Sequence, residues 1–504
     1  MGTKVNSNYE DLLTFTRASK GHALRPVSYG ANELPAASFA VIGTGTWDGT
    51  QFVDTVGSQV RSGVTTGTSL TNGTTYALFI NITDITGATQ VRIDGLDGTD
   101  RLIGEGDHRF SFTSNGGTPR VRLEDTSTSI NDGFTVQTAI TAKEVLFDQP
   151  NAPLTLFEHP NNIPRVEYDA DGNRLGLLVE ESRTNLFLYS EDLTDSSWTK
   201  GSGTTVTPST TVAPNGVSGC SRIQFVAGQQ GTKFVQDALS PSPLASTTHT
   251  VSAWVKSTSG ADQTFALKCT HGGVADYFSS DFTATSEWQR FDFSKAFGAG
   301  GTSAIAGIVG GSSGNAVDIE VWGFQFEGNA SFPTSYIKSN SGSTTTRSAD
   351  VASIPVADFG YNQSEGTVFV EASHFDTDSG TSQIVYLGDD TQDYVSVYTQ
   401  YGSYYRVNSL GNGVSSGNIV LNTGGSLSDI SKVATSWKND ASFDAARDGT
   451  LGTGYTDFNA LGTVPTNVYF GTRNGSASPL NGHIKSIKYY PRRLTNAQLV
   501  QLTS

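Results

Sequence analysis

Cysteine is nearly absent from this chain: 504 residues contain two, Cys220 and Cys269, beside a single methionine. Two thiols cannot build the disulfide framework of a small secreted scaffold. Neither lies in a C-x-x-C or H-x-x-H spacing, so a zinc site lacks its donors. Both read as small apolar fillers within one domain. Positive charge is scarce too: 32 Lys and Arg against 48 Asp and Glu leave a formal net charge of −16. That balance excludes the basic footprint that nucleic acid requires. No run approaches the roughly 18–20 consecutive apolar residues of a membrane-spanning helix. The opening Met1-Gly2-Thr3-Lys4 has no apolar leader, so neither membrane insertion nor a secretory signal is expected. No P-loop and no G-x-S-x-G elbow is present.

What the chain has in quantity is glycine, 56 residues, with abundant Ser and Thr and 36% hydrophobic residues, enough for packed cores. The length suits about three domains of roughly 100–200 residues. Apolar and polar residues alternate at a period of two along 76–82, 109–112, 250–256 and 317–326, between Gly, Asn and Asp punctuation. Such spacing predicts half-buried antiparallel strands. The fold class is therefore all-β: tandem antiparallel, jelly-roll-like β-sandwiches. One short helix is expected at the C-terminus, N-capped by Thr495, with Leu499 and Leu502 on one face.

The most distinctive stretch is 162–186. Arg165, Tyr168 and Asp169 form R-x-x-Y-D; Gly176, Leu177, Leu178, Glu180, Arg183, Thr184, Asn185 and Leu186 form G-L-L-x-E-x-x-R-T-N-L. Locally this is a hairpin whose turn, Asp169 to Asn173, is rich in residues that accept positive φ or bond their own backbone. The wording resembles a connector in virion proteins of tailed bacteriophages. There it introduces a carbohydrate-binding-module-like sandwich and then a concanavalin A-like, or laminin-G-like, sandwich. Phe15 to Ser19 (F-T-R-A-S), Leu188 to Asp192 (L-Y-S-E-D), Thr346 to Val351 around Arg347, and Glu365 to Ala372 resemble the same arrangement.

That resemblance implies an attachment segment at 1–36, an inserted β-sandwich at 37–148 and a hairpin connector at 149–186. A carbohydrate-binding-module-like sandwich follows at 187–338, a linker at 339–349, and a concanavalin A-like sandwich at 350–504. The structural connector residues would be Arg165, Tyr168, Asp169, Glu180, Arg183, Asn185 and Arg347. The implied role is a structural component of a tail fibre, spike, baseplate or head fibre that contributes to attachment at host-surface glycans. Its partners would be other virion proteins, further copies of itself, as in the trimers common among appendages, and host polysaccharide. Such a chain is made in the bacterial cytoplasm and ends in the virion. The alternatives are a polysaccharide depolymerase tailspike and a capsid decoration protein with no receptor role.

No catalytic residue is expected. A glycosidase needs paired carboxylates at fixed separation; Asp318 and Glu320 read instead as exposed acids alternating with buried Ile and Val. His374 and His483 read as polar positions at a sheet surface. No cofactor or metal is expected, although jelly rolls often carry a structural calcium. Asp169 to Asn173 and Asp94 to Asp100 are the acidic stretches nearest to such a loop, and both lack its closing glutamate. Glycan contact falls to the tyrosines: Tyr398, Tyr401, Tyr404 and Tyr405, near Tyr394, offer faces on which sugars stack. The competing reading has Tyr394 and Tyr398 alternating along a half-buried strand and the others capping a hairpin.

Overall fold

The structure is a computed structural model; it describes every residue except 1–12, 35–38, 43–44, 55–62, 67, 87–90, 94–100, 117–119, 122–133, 240–246, 302, 340–341, 376–379, 401–403, 422–428 and 460. The period-two runs become antiparallel sheet throughout, and Asn496–Thr503 is the one α-helix among the described residues. The acidic stretch 94–100 and Tyr401 lie outside the described residues.

The chain divides into two units, one of Met1–Ala23, Asn161–Val206 and Ile223–Ser504, the other of Leu24–Pro160 and Thr207–Arg222. The first unit contains a sandwich assembled from distant parts of the sequence. Its strands are β1 (Thr14–Thr16), β2 (Val166–Tyr168), β3 (Arg174–Val179), β4 (Val351–Pro355), β5 (Glu365–His374), β6 (Thr381–Gly388) and β7 (Tyr394–Gln400). They continue as β8 (Tyr404–Gly411), β9 (Val414–Leu421), β10 (Ser431–Lys438), β11 (Ser442–Arg447), β12 (Thr450–Leu451), β13 (Asn467–Phe470) and β14 (Gly482–Tyr490). One sheet runs β1-β4-β13-β6-β7-β8-β9 and the other β2-β3-β14-β5-β10-β11-β12.

This sandwich extends beyond 350–504. Strand β1 pairs with β4 (Thr14 opposite Ser353), and β3 pairs with β14 (Leu177 opposite Ile484). Phe15, Leu177 and Val179 sit in the same core as Val370, Val397, Trp437 and Phe470. Gly176 of the connector is required by this docking. Its φ is +127°, and a Cβ there would meet the Ile484 carbonyl oxygen at 2.4 Å; only glycine tolerates both. The helix α1 (Asn496–Thr503) starts on a capping box between Thr495 and Gln498. Its Leu499, with Leu494, covers Phe369, Ala434 and Ala446 on the outer face of the second sheet.

Two expectations are corrected here. His374 and His483 are buried, not at the sheet surface, and His483 Nε2 lies 2.7 Å from Glu167 Oε2. Glu320 is buried as well, although it alternates with core residues as expected.

The other sandwich of this unit packs Phe187, Trp198, Val251, Phe265, Cys269, Ile308, Phe324 and Phe326 into one core. Its long strand Val317–Gly328 lies between Thr248–Ser257 and the remainder of the sheet, with Gln289–Ala296 beyond. The second unit centres on Thr75–Thr86, paired with Gly106–Thr113 and Phe134–Phe147, over a core of Leu78, Ile80, Phe112 and Ile140. Both cysteines are buried.

Candidate functional site

Two constellations of polar side chains stand out in the first unit, one buried and one on an outer face. The buried one gathers three of the seven connector residues, Arg165, Glu180 and Arg347. Arg165 extends from the residue before β2, and its Nη2 lies 2.8 Å from Glu180 Oε2 and also contacts Asp350 Oδ2. Arg17 Nη1 reaches Asp350 Oδ1 at 3.2 Å, and Arg347 Nη2 lies 3.4 Å from Glu180 Oε2. Three guanidiniums thus surround two carboxylates, every one of these side chains at most 1% exposed.

Backbone partners complete the shell. Ser335 donates to Glu180 through its N–H (2.7 Å) and hydroxyl (2.6 Å), and the Glu180 N–H donates to Asp350 at 2.9 Å. Arg165 Nη1 donates to the His22 carbonyl at 3.0 Å, and Arg347 Nη2 to the Glu181 carbonyl at 2.8 Å. The electrostatics follow from dense packing of charge. Burial pushes the Glu180 pKa up, but Arg347, Arg165 and the Ser335 hydrogen bonds outweigh it and hold the carboxyl at about 2. Burial alone would lower Arg165, and Asp350 with Glu180 carries it above the ordinary arginine value. Arg17 is pulled down to about 10 by burial and by neighbouring Arg165. The cluster pins segments near residues 17, 165, 180, 335 and 350 to one another.

The remaining connector residues serve other contacts. Asp169 Oδ1 accepts from the N–H groups of Asp171 (3.0 Å) and Asn173 (2.8 Å), closing the hairpin turn. Tyr168 stands opposite Arg174 beside that turn. Arg183 pairs with Glu181 and donates to the Asn329 carbonyl at 2.6 Å. Asn185 is wholly buried; its amide donates to the carbonyls of Phe324 (3.0 Å) and Ile337 (2.8 Å). Arg17, Asp350 and Ser335 were not singled out from sequence, although Arg17 and Asp350 lie inside quoted motifs. Their roles depend on contacts between residues hundreds of positions apart.

The second constellation lies on the outer face of the β1-to-β9 sheet. Val395 and Val397 of β7, and Tyr405 and Val407 of β8, point into the core. Alternation therefore turns Tyr394, Ser396 and Tyr398 outward, with Tyr404, Arg406 and Asn408 beside them. Tyr398 stands opposite Arg406, Ser396 opposite Asn408, and Asn408 opposite Asn418 of β9. Tyr386 of β6 stacks on Tyr394 with ring centroids 5.0 Å apart, and Asn408 Nδ2 donates to the Tyr394 hydroxyl at 3.2 Å. Burial raises the pKa of Tyr394 and of Tyr398, so both are neutral donors at physiological pH.

Of the four tyrosines expected at a glycan, Tyr398 and Tyr404 fall on this face. Tyr405 does not: it is fully buried, with the Arg447 guanidinium 4.2 Å from its ring centroid. Reading strand parity from Val407 would have placed it inside. The same parity would have found Arg406 and Asn408, which sequence reading passed over.

No protein-family model matches the sequence, and no curated protein matches it. Among solved structures, the chain is similar to the CBM40 of Ruminococcus gnavus IT-sialidase bound to α2,3-sialyllactose, at 16% identity over 29% of this chain and 87% of that one, TM-score 0.27. It is similar to the CBM22-1 xylan-binding domain of Paenibacillus barcinonensis Xyn10C, at 14% identity over 31% of this chain and 98% of that one, TM-score 0.24. The receptor binding domain of botulinum neurotoxin C/D mosaic serotype also matches, at 12% identity over 31% of this chain and 40% of that one, TM-score 0.26. Likeness at this level assigns neither a site nor a ligand.

Proposed function

We propose that this chain is a non-catalytic attachment protein of a tailed-phage particle, a component of a tail fibre, spike, baseplate or head fibre that holds host-surface glycan. The observation that carries the glycan reading is the contrast between the two outer faces of the β1-to-β14 sandwich. One is covered by α1 through apolar contacts. The other carries Tyr394, Tyr398, Tyr404, Arg406, Asn408 and Asn418, side chains that stack on pyranose rings and bond hydroxyls. The particle reading is supported by the connector wording, whose charged residues fall at a buried junction that holds a discontinuous sandwich rigid. Weak sugar sites on a rigid block become effective attachment when many copies act together.

The test uses the full chain on an array of bacterial surface polysaccharides, with antibody labelling of phage particles in parallel. Binding that leaves polymer length unchanged, together with labelled particles, is the expected result. Progressive shortening of a bound polymer would make the chain a depolymerase. Labelled particles with no glycan bound would make it a decoration protein.

A further inference from the structure

The tyrosine face bears a charge pattern that selects among sugars. Its strands β7, β8 and β9 turn Arg406 outward among Tyr398, Asn408 and Asn418, and no carboxylate stands among the outward residues of these strands that the structure describes. A second guanidinium, Arg473, is exposed just beyond β13 and close enough to Tyr386 and Tyr394 to act on both phenols electrostatically. No described carboxylate forms an ion pair with Arg406 or Arg473. The acids of the adjoining loops are held by backbone N–H groups and turned to them: Asp393 accepts from those of Asn412 (2.6 Å) and Gly462 (2.9 Å), Asp389 from that of Thr466 (2.6 Å) and Asp390 from that of Gln392 (2.7 Å). In a chain of net charge −16, the described outward residues of β7, β8 and β9 carry an arginine and no carboxylate, while Asp389 and Asp390 lie toward Tyr386 at the far side of β6.

Resting on the glycan reading above, we infer that this face takes an acidic polysaccharide, one whose sugars carry carboxylates. The rings of Tyr394 and Tyr398, four residues apart on one strand and so roughly 13 Å apart, provide a row along which a polymer lies. Arg406 stands opposite Tyr398, and Arg473, just beyond β13, acts electrostatically on Tyr394. A planar guanidinium matches a carboxylate with two parallel hydrogen bonds, which a neutral hydroxyl cannot reproduce. Paired arginines along an aromatic row fit a repeating acidic polymer better than a single charged sugar. Tyr398 supplies the surface common to any saccharide, while the arginines supply the discrimination.

The experiment measures binding of the full chain to uronic-acid-bearing bacterial capsular polysaccharides and to the same polymers after chemical reduction of their carboxylates to alcohols. Native polymers are expected to bind and reduced ones to bind at least about tenfold more weakly, as the loss of a charge-assisted bidentate contact requires. R406Q and R473Q should weaken binding to native polymer by a similar factor and binding to reduced polymer by a distinctly smaller one. Added salt should reproduce the effect of the arginine variants. Y398A should weaken both. Equal binding to native and reduced polymers, or binding to neutral polymers alone, overturns the acidic assignment and leaves the glycan reading standing. Binding to no polymer of either set or of the wider array overturns both. Unchanged thermal unfolding of the variants establishes that the losses are not misfolding.

Discussion

Arginine does opposite work in two places in this molecule. Around Glu180 and Asp350, three arginines are dry, and each guanidinium contacts a carboxylate. On the tyrosine face, Arg406 stands opposite Tyr398 with Asn418 as its polar neighbour, Arg406 Nη1 to Asn418 Oδ1 being 3.4 Å. The difference teaches where each residue's free energy is spent. A charge fully enclosed must be matched, so its loss is felt in folding. A charge at a solvated face retains its hydration until a ligand replaces it, so its loss is felt in binding.

The harshest way to test the buried side is to remove its partners altogether. Residues 350–504 expressed alone lack β1, β2 and β3, and with them Phe15, Leu177 and Val179 from the core, and leave Asp350 without Arg17, Arg165 and Arg347. This fragment is expected to show no cooperative unfolding transition by calorimetry, whereas the full chain shows one. A soluble fragment with a sharp transition would mean that the connector strands are accessory.

A single substitution is the next step down. Glu180→Gln leaves three guanidiniums facing one carboxylate, and breaking a buried pair costs roughly 3–5 kcal/mol. Urea unfolding followed by intrinsic fluorescence should show that loss, since Trp437 lies in the same core as Val179. A change under about 1 kcal/mol would place the cluster's charge in solvent contact.

A carboxylate with no arginine sharpens the comparison. Asp237 is also buried, but its Oδ2 has no hydrogen-bond partner, and burial, aided by Asp195, pushes its pKa from the ordinary 3.8 to about 6. The two carboxyls therefore act on stability in opposite directions. Folded Asp237 binds its proton more tightly than the unfolded chain does, so stability rises as pH falls from about 6 to about 4. Folded Glu180, held at about 2 against an ordinary 4.5, contributes stability above pH 4.5 that is lost as pH falls toward 2. Unfolding midpoints against pH should pass through a maximum between these windows. Asp237→Asn should raise the neutral-pH midpoint and flatten the upper limb, and Glu180→Gln should flatten the lower one.

What could be read in advance follows the same division. The hairpin was legible because its residues are contiguous: Asp169 closes a local turn, whereas the need for glycine at 176 comes from distant Ile484 and was not. Thr495 declared the helix through a capping box spanning four residues. The partnership of Thr14 with Ser353 was not legible, because a three-residue strand carries little propensity and its partner is distant in sequence. Tyr405 was misread for a different reason. Clustering of tyrosines drew attention to residue type, while side-chain direction is set by strand parity, and parity puts Tyr405 with Val407 in the core.

The smallest expected effect is the most discriminating. Tyr398→Ala and Arg406→Gln remove side chains that are partly exposed, neither belonging to the core of the sandwich. Surface changes away from caps, cavities and buried networks shift stability by about 0.5 kcal/mol or less, so both variants should unfold within a degree or two of the parent in the same calorimeter. A large drop for either would show that the face is held for folding, and that its rings and guanidinium answer to the sandwich and not to a ligand. A negligible drop leaves a row of tyrosines, arginine and asparagines that the fold does not need, so a loss of glycan binding in the same variants reports contact with the ligand and not a damaged sandwich.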